Sequence, residues 1–116
     1  MITGMHAIVF SAEAEKVRGF FAEVLGLPSV DAGGGWLIFA LPPAELAVHP
    51  ADGAGRHELY LMCDDIHGTL ADLRGRGVEV VREVSDQGWG LLAAIRLPDG
   101  SEFPVYEPRH SLPPRS

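Results

Sequence analysis

Hydrophobic and polar positions along this chain change period several times, and each change marks an element. Met5–Phe10 is a short β-branched and aromatic run that predicts a strand, with His6, Ile8 and Phe10 on one face and Ala7 and Val9 on the other, both partly buried. After Ser11, an expected N-cap, Val17, Phe20, Phe21, Val24 and Leu25 recur at i, i+3, i+4, i+7 and i+8, the stripe of an amphipathic helix. Gly26 ends it, with Pro28 close behind. Three strands are expected next: a short one over Ser29–Ala32, one over Trp36–Leu41 after the run Gly33–Gly35, and one over Glu45–His49 beyond Pro42 and Pro43. Pro50–Gly55 is small and polar, the composition of a connection.

The plan then repeats. Glu58–Met62 predicts a strand, Asp64 and Asp65 a helix start, and Ile66, Leu70 and Leu73 the apolar stripe of a helix ending at Gly75–Gly77. Val78–Val84, Trp89–Arg96 and Glu102–Tyr106 predict three more strands, with Leu97–Gly100 as the last hairpin turn. Laying His6 over Glu58 puts Ser11 over Cys63, Glu13 over Asp65 and Phe21 over Leu73, an internal repeat at an offset of 52 residues.

Composition narrows the classes. The 116 residues suit one domain, and 47% apolar content suffices for a core. Nine Lys and Arg against sixteen Asp and Glu give a net charge of −7, which repels phosphate backbones and anionic membrane surfaces, so no nucleic-acid or membrane partner is expected. No apolar run approaches the ~20 residues needed to span a bilayer, and MITGMHAIVF has no basic stretch ahead of a cleavable apolar core. The single cysteine, Cys63, lies in an apolar run and is expected as a buried structural thiol. These readings place the protein in the cytoplasm. The tail Arg109–Ser116 is Pro-rich and polar, expected to be flexible or packed on a partner.

The order strand, helix, three strands, written twice, resembles the paired βαβββ modules of the vicinal oxygen chelate superfamily, the glyoxalase/bleomycin resistance protein/dioxygenase group. FFAEVLGL resembles the family's FYRDVLGL helix end, ELYLMCDDI its HIALxVDDI strand, and LPDGSEFPVYEP its DPDGNxIELYEP finish, with Trp89-Gly90 ahead of the penultimate strand. The similarity runs over residues 5 to 108. It implies an α+β fold of two tandem modules, about 5–50 and 57–108, forming a curved mixed sheet. It also implies a cup completed in a homodimer.

Metal-dependent members of that family hold a divalent ion with His and Glu side chains from the first and last long strands of each module. The resemblance places His6 at the first ligand position and Glu58 at its twin, where Glu58 could also serve catalytically. Glu45, Ala47 and His49 share a face by alternation, so either Glu45 or His49 could be a third ligand. At the fourth position stands Pro104, which has no donor atom. The implied cofactor is one divalent ion, Zn, Ni, Mn or Fe, or none, since three protein ligands still make an open catalytic site. Phe10, Tyr60, Met62, Trp89, Glu102 and Tyr106 are candidate pocket residues, although aromatic and Met side chains at strand spacing are more often plain core, Trp89 and Tyr60 excepted.

Other polar residues read as structure. Glu13, Glu15, Asp64 and Asp65 suit the positive ends of helices, His57 and His67 suit exposed positions, and Gly33–Gly35 has no following helix to make a phosphate loop, so it suits a hairpin or a mobile rim. Three functions follow, all with a small-molecule partner. The first is a metal-assisted lyase or isomerase of glyoxalase type using His6, Glu58 and Glu45 or His49. The second is a metal-free protein of bleomycin-resistance type that sequesters a drug or metabolite, often cationic, against Trp89 and Tyr60. A ring-cleaving dioxygenase ranks third, because Pro104 replaces the expected Glu.

Overall fold

The computed structural model describes residues 6–44, 50, 52–53 and 58–109. Its second half is a closed βαβββ unit. Strand β3 (Leu61–Met62), helix α2 (Ile66–Gly75), and strands β4 (Val80–Asp86), β5 (Gly90–Arg96) and β6 (Glu102–Pro108) follow in chain order. They form a sheet of spatial order β3-β6-β5-β4, with β3 parallel to β6 and the other pairs antiparallel. Two register shifts in the β4–β5 ladder, flanking Arg82, bend that edge of the sheet.

Helix α2 starts and stops by side-chain and glycine chemistry. The Asp65 carboxylate accepts from the Gly68 amide at 3.1 Å, and the Glu107 carboxylate, reaching across from β6, accepts from the Ile66 amide at 3.0 Å. Two of the amides left over at a helix start are thus satisfied by acids that also favour the dipole. At the far end Gly77 turns to φ +85°, and the Val78 amide donates to the Leu73 carbonyl at 3.0 Å, the six-to-one bond of a Schellman end. Between these ends Ile66, Leu70 and Leu73 press onto Ala93, Ile95, Phe103 and Val105 on one face of β5 and β6. Each large apolar side chain fully buried there contributes roughly 1.5–3 kcal/mol.

The first half follows the same plan with less closure. Helix α1 (Ala14–Gly19) runs into a π-helical turn over Phe20–Val24. Val17 and Phe20 enter the same core, and Phe21, Val24 and Leu25 pack at its margin, as the sequence stripe predicts. Strands β1 (Ser29–Asp31) and β2 (Leu37–Phe39) form an antiparallel hairpin around Gly33–Gly35, all three at positive φ. Its Phe39 meets Phe21, which in turn meets Phe103.

The repeat survives in detail. The N-cap residues are Glu13 and Asp65, the pair that the 52-residue offset superposes. Positive-φ glycines end both helices, Gly26 and Gly77, yet the first helix takes one residue more to get there. The π turn absorbs it, because its Leu25 amide bonds back five residues to Phe20 rather than four.

Three expectations need correction. His6–Phe10 is not a strand, and its side chains are exposed rather than partly buried on both faces. A strand persists only where a neighbour takes up its amides and carbonyls, and among the described residues none pairs with this segment. Ser11 is not the N-cap of α1; Glu13 is, without a side-chain cap bond. The Ser11 hydroxyl instead accepts from the Glu13 amide and donates to Asp99. Finally, only Leu61 and Met62 of the expected Glu58–Met62 strand join the ladder. The expected strand Glu45–His49 and the residues beyond Arg109 lie outside the described residues. Among the described residues no helix is long and apolar enough to cross a membrane.

Candidate functional site

The ladder registers divide the second sheet into two faces. Ala93, Ile95, Phe103 and Val105 turn toward the helices, so their partners by alternation, Leu92, Ala94, Pro104 and Tyr106, turn the other way. Arg82 stands opposite Ala94, and Met62 beside Tyr106, on that same open face. Two-residue alternation from Met62 carries Tyr60 and Glu58 onto it as well.

An aromatic wall forms at the Tyr106 end. Tyr60 and Trp89 each meet Tyr106 edge-to-face, with ring centroids 5.7 and 5.6 Å away. Such pairs contribute about 0.5–1.5 kcal/mol beyond burial. Gly90 makes the approach possible. A Cβ there would lie 2.7 Å from the Glu107 carbonyl oxygen and 3.4 Å from the Tyr106 ring. Tyr106 is buried beneath its neighbours, whereas Trp89 stays 44% exposed.

Beside this wall lies an open cavity of about 360 Å³, lined by Val9, Glu58–Tyr60, Leu97 and Ser101–Pro104. Its floor is mostly apolar, and its two carboxylates have partners. Glu58 accepts from the Tyr60 hydroxyl at 2.9 Å, and Glu102 pairs with Arg82 at 3.0 Å. At its rim Asp99 accepts from the Ser11 hydroxyl and from the amide and hydroxyl of Ser101. Those hydrogen bonds, led by the Ser101 and Ser11 hydroxyls, lower its carboxyl to about 2 from the ordinary 3.8.

Of the candidate pocket residues, Tyr60, Met62, Glu102 and Tyr106 fall on the open face, with Trp89 packed against it. Tyr60 and Glu102 line the cavity itself. Phe10 does not join them; its ring is 89% exposed. Among the metal candidates Glu58 lines the cavity, His6 sits exposed in the unpaired leading segment, and Glu45 and His49 lie outside the described residues. Pro104 holds the fourth position on the cavity wall and offers no donor. Among the described residues no group of three His, Cys, Asp or Glu side chains gathers as a metal ion needs. These residues alone do not fit a metal centre.

Cys63 is half-buried beside β6, its thiol donating to the Tyr106 carbonyl at 3.5 Å, and burial pushes its pKa up. A thiol so raised is a poor nucleophile, so it belongs to the scaffold.

One feature escaped the sequence reading. In both halves an Asp carboxylate caps the hairpin turn (Asp31 to the Gly33 amide, 2.7 Å; Asp86 to the Gly88 amide, 2.8 Å), then a positive-φ glycine precedes a tryptophan. Gly35-Trp36 and Gly88-Trp89 are therefore twins. The signal was present as two Gly-Trp pairs, each just ahead of an apolar strand, but the fixed offset hid it because the first turn is longer. Trp36, Val30 and Ile38 share the hairpin face turned from Phe39, and all three are exposed, Trp36 by 72%.

Comparison with known proteins gives concordant findings. The sequence profile of the Glyoxalase/Bleomycin resistance protein/Dioxygenase superfamily matches residues 5–105. Among solved structures, the antibiotic-binding protein TnmS3 from Streptomyces sp. CB03234 is 26% identical, with 93% of this chain and 99% of that one covered at a TM-score of 0.63. A lactoylglutathione lyase from Agrobacterium tumefaciens is 15% identical over 90% and 92%, TM-score 0.65. A superfamily member from Sphaerobacter thermophilus DSM 20745 is 22% identical over 91% and 98%, TM-score 0.63. The last two likenesses show the fold. No curated protein matches the chain.

Proposed function

Because the chain belongs to the glyoxalase/bleomycin resistance protein/dioxygenase superfamily, we propose that it is a cytoplasmic binding protein that encloses a planar small molecule against the Tyr60–Tyr106–Trp89 wall. The observation that carries this reading is that wall itself. Three rings are locked edge-to-face over Gly90, next to a cavity whose floor is apolar and whose polar groups are few. An aromatic wall favours a cationic guest, and Glu58 adds a carboxylate at the cavity, whereas the charge of Glu102 is already matched by Arg82. The likeness to an antibiotic-binding protein supports binding over turnover.

The binding unit is a homodimer in this proposal. Val30, Trp36 and Ile38 form an exposed apolar face that no other described residue covers, and Trp36 repeats the construction of Trp89. Val30, Trp36 and Ile38 are 67%, 72% and 46% exposed, and contiguous exposed apolar side chains mark surfaces that associate. Trp36 of a second copy would then close the guest against Trp89. An enzymatic role of glyoxalase type needs Glu45 or His49 to join His6 and Glu58 around a divalent ion, which would supply Lewis-acid polarisation.

Titration with acridine orange, a planar aromatic cation, followed by tryptophan quenching tests the reading. Saturable binding is expected, weakened about tenfold, ~1.4 kcal/mol, by Trp89→Ala or Tyr60→Ala. Equal binding of the anionic dye anilinonaphthalene sulfonate, with no loss in either variant, would overturn it. Stoichiometric metal after reconstitution, abolished by Glu58→Ala, would favour the enzyme instead.

A further inference from the structure

The turn that joins β5 to β6 needs two residue types side by side. Gly100 has φ +90°, a backbone conformation that favours glycine. Just before it, the Asp99 carboxylate accepts from the Ser101 amide at 3.0 Å, the side-chain cap of a tight turn. Asp followed by Gly is also the dipeptide most open to self-attack, because a glycine has no side chain to keep its nitrogen from the neighbouring carboxyl carbon. The chain has two such pairs, Asp52-Gly53 and Asp99-Gly100. Asp52 and Gly53 are both exposed. At Asp99-Gly100 both reacting groups are occupied. The Gly100 amide donates to the Leu97 carbonyl at 2.9 Å. The Asp99 carboxylate accepts from the Ser101 hydroxyl and, across 88 residues of sequence, from the Ser11 hydroxyl.

We propose that Asp99-Gly100 is a latent isoaspartate site held shut by the Ser11 hydroxyl, so that the native chain isomerises at Asp52-Gly53 instead. In the reaction the Gly100 nitrogen bonds to the Asp99 side-chain carboxyl carbon, and the amide proton and the carboxyl hydroxyl leave as water. Water then opens the resulting succinimide at that same carbon, which returns aspartate, or at the backbone carbonyl carbon, which leaves isoaspartate. The electrophile is the neutral acid, since an ionised carboxylate has no hydroxyl to lose as water. Donors that favour the ionised form therefore slow the first step, and here they keep the carboxyl ionised far below neutral pH. Ser101 travels with Asp99 in one turn, whereas Ser11 reaches it from the start of module one, so Ser11 is the donor that depends on the assembled fold. The guard preserves the cavity rim. Leu97 and Ser101 line the cavity, and the Leu97 amide donates to the Ser101 carbonyl at 2.8 Å. Isoaspartate adds a methylene to the backbone inside that closed turn and lengthens the span this bond must close. The inference is independent of what the cavity binds.

Ageing of the full chain at neutral pH and physiological temperature tests the guard. Trypsin then frees the two pairs on separate peptides, Gly19–Arg56 and Leu97–Arg109, and chromatography with mass spectrometry measures isoaspartate in each. In the wild type, isoaspartate is expected to accumulate at Asp52 about tenfold faster than at Asp99, as several hydrogen bonds on the reacting groups require. Ser11→Ala should raise the rate at Asp99 roughly threefold to tenfold, the span of one lost hydrogen bond, and leave the rate at Asp52 unchanged. Ser11→Thr, which keeps the hydroxyl, should age as the wild type does. Equal rates at the two pairs in the wild type overturn the proposal, as does an unchanged Asp99 rate in Ser11→Ala or a fast one in Ser11→Thr. If Ser11→Ala accelerates both pairs alike, general unfolding is the cause and the local guard is refuted.

Discussion

The two halves share one plan and meet different fates. Module two closes its sheet over α2 and buries Ile66, Leu70, Ile95 and Val105 almost completely. Module one gives Val17 and Phe20 to that same core and leaves Val30, Trp36 and Ile38 to solvent. Duplication of local signals, caps, glycine stops and hairpin tips does not duplicate stability, because stability comes from what each face finds to pack against. The half with a complete ladder is the scaffold; the half with exposed apolar strands is where the proposed second copy would dock.

The sharpest way to break this comparison is to cut equal side chains from each half. Ile95→Ala, fully buried in β5, is expected to cost about 2–5 kcal/mol, while Ile38→Ala in dilute protein should stay within about 0.5 kcal/mol. Urea denaturation measures both, and equal losses would refute the assignment of scaffold to module two. Next in size is Gly90→Ala, whose new Cβ must displace the Glu107 backbone. A loss of about 1–3 kcal/mol is expected, with weakened dye binding because Tyr106 moves with β6. The twin caps come next. Asp65→Ala should cost about 1 kcal/mol as a working N-cap is lost, whereas Glu13→Ala, at a cap position without a side-chain bond, should cost only a few tenths.

Much of this was legible in the sequence, and the misses have physical causes. The apolar stripes of both helices, the stops at Gly26 and Gly77, and strands β4 to β6 follow from periodicity and turn chemistry, which are local. Met5–Phe10 reads as a strand for the same local reasons, but a ladder needs a neighbour, and that is a tertiary fact. Glu107 alternates with Tyr106 and so lies on the helix side of β6, yet its bond to the start of α2 could not be seen without the fold. Ser11 misled because it stands where a cap belongs while its hydroxyl has a better partner, Asp99. In the candidate site, Tyr60, Trp89 and Tyr106 were visible as types at strand spacing. Their convergence over Gly90 was not.

The smallest effect concerns a polar contact between the halves, Ser11 with Asp99. The Asp99 carboxyl is lowered in the folded protein to about 2 from 3.8, so its contribution is present above pH about 4 and lost as pH falls toward 2. The stability difference between wild type and Asp99→Asn, followed by thermal melts from pH 7 down to 2, should be constant above about 5 and shrink as pH falls from about 4 toward 2. A difference that is the same at pH 7 and at pH 2 would mean that the ionised clasp contributes nothing.

The most direct test mixes two defective chains. Trp36→Ala and Trp89→Ala proteins are each expected to bind acridine orange weakly. After subunit exchange of an equimolar mixture, about a quarter of the sites should regain full affinity, because each mixed twofold dimer holds one site with both tryptophans and one with neither. No full-affinity sites after demonstrated exchange, or a chain that stays monomeric at every concentration, would contradict the account.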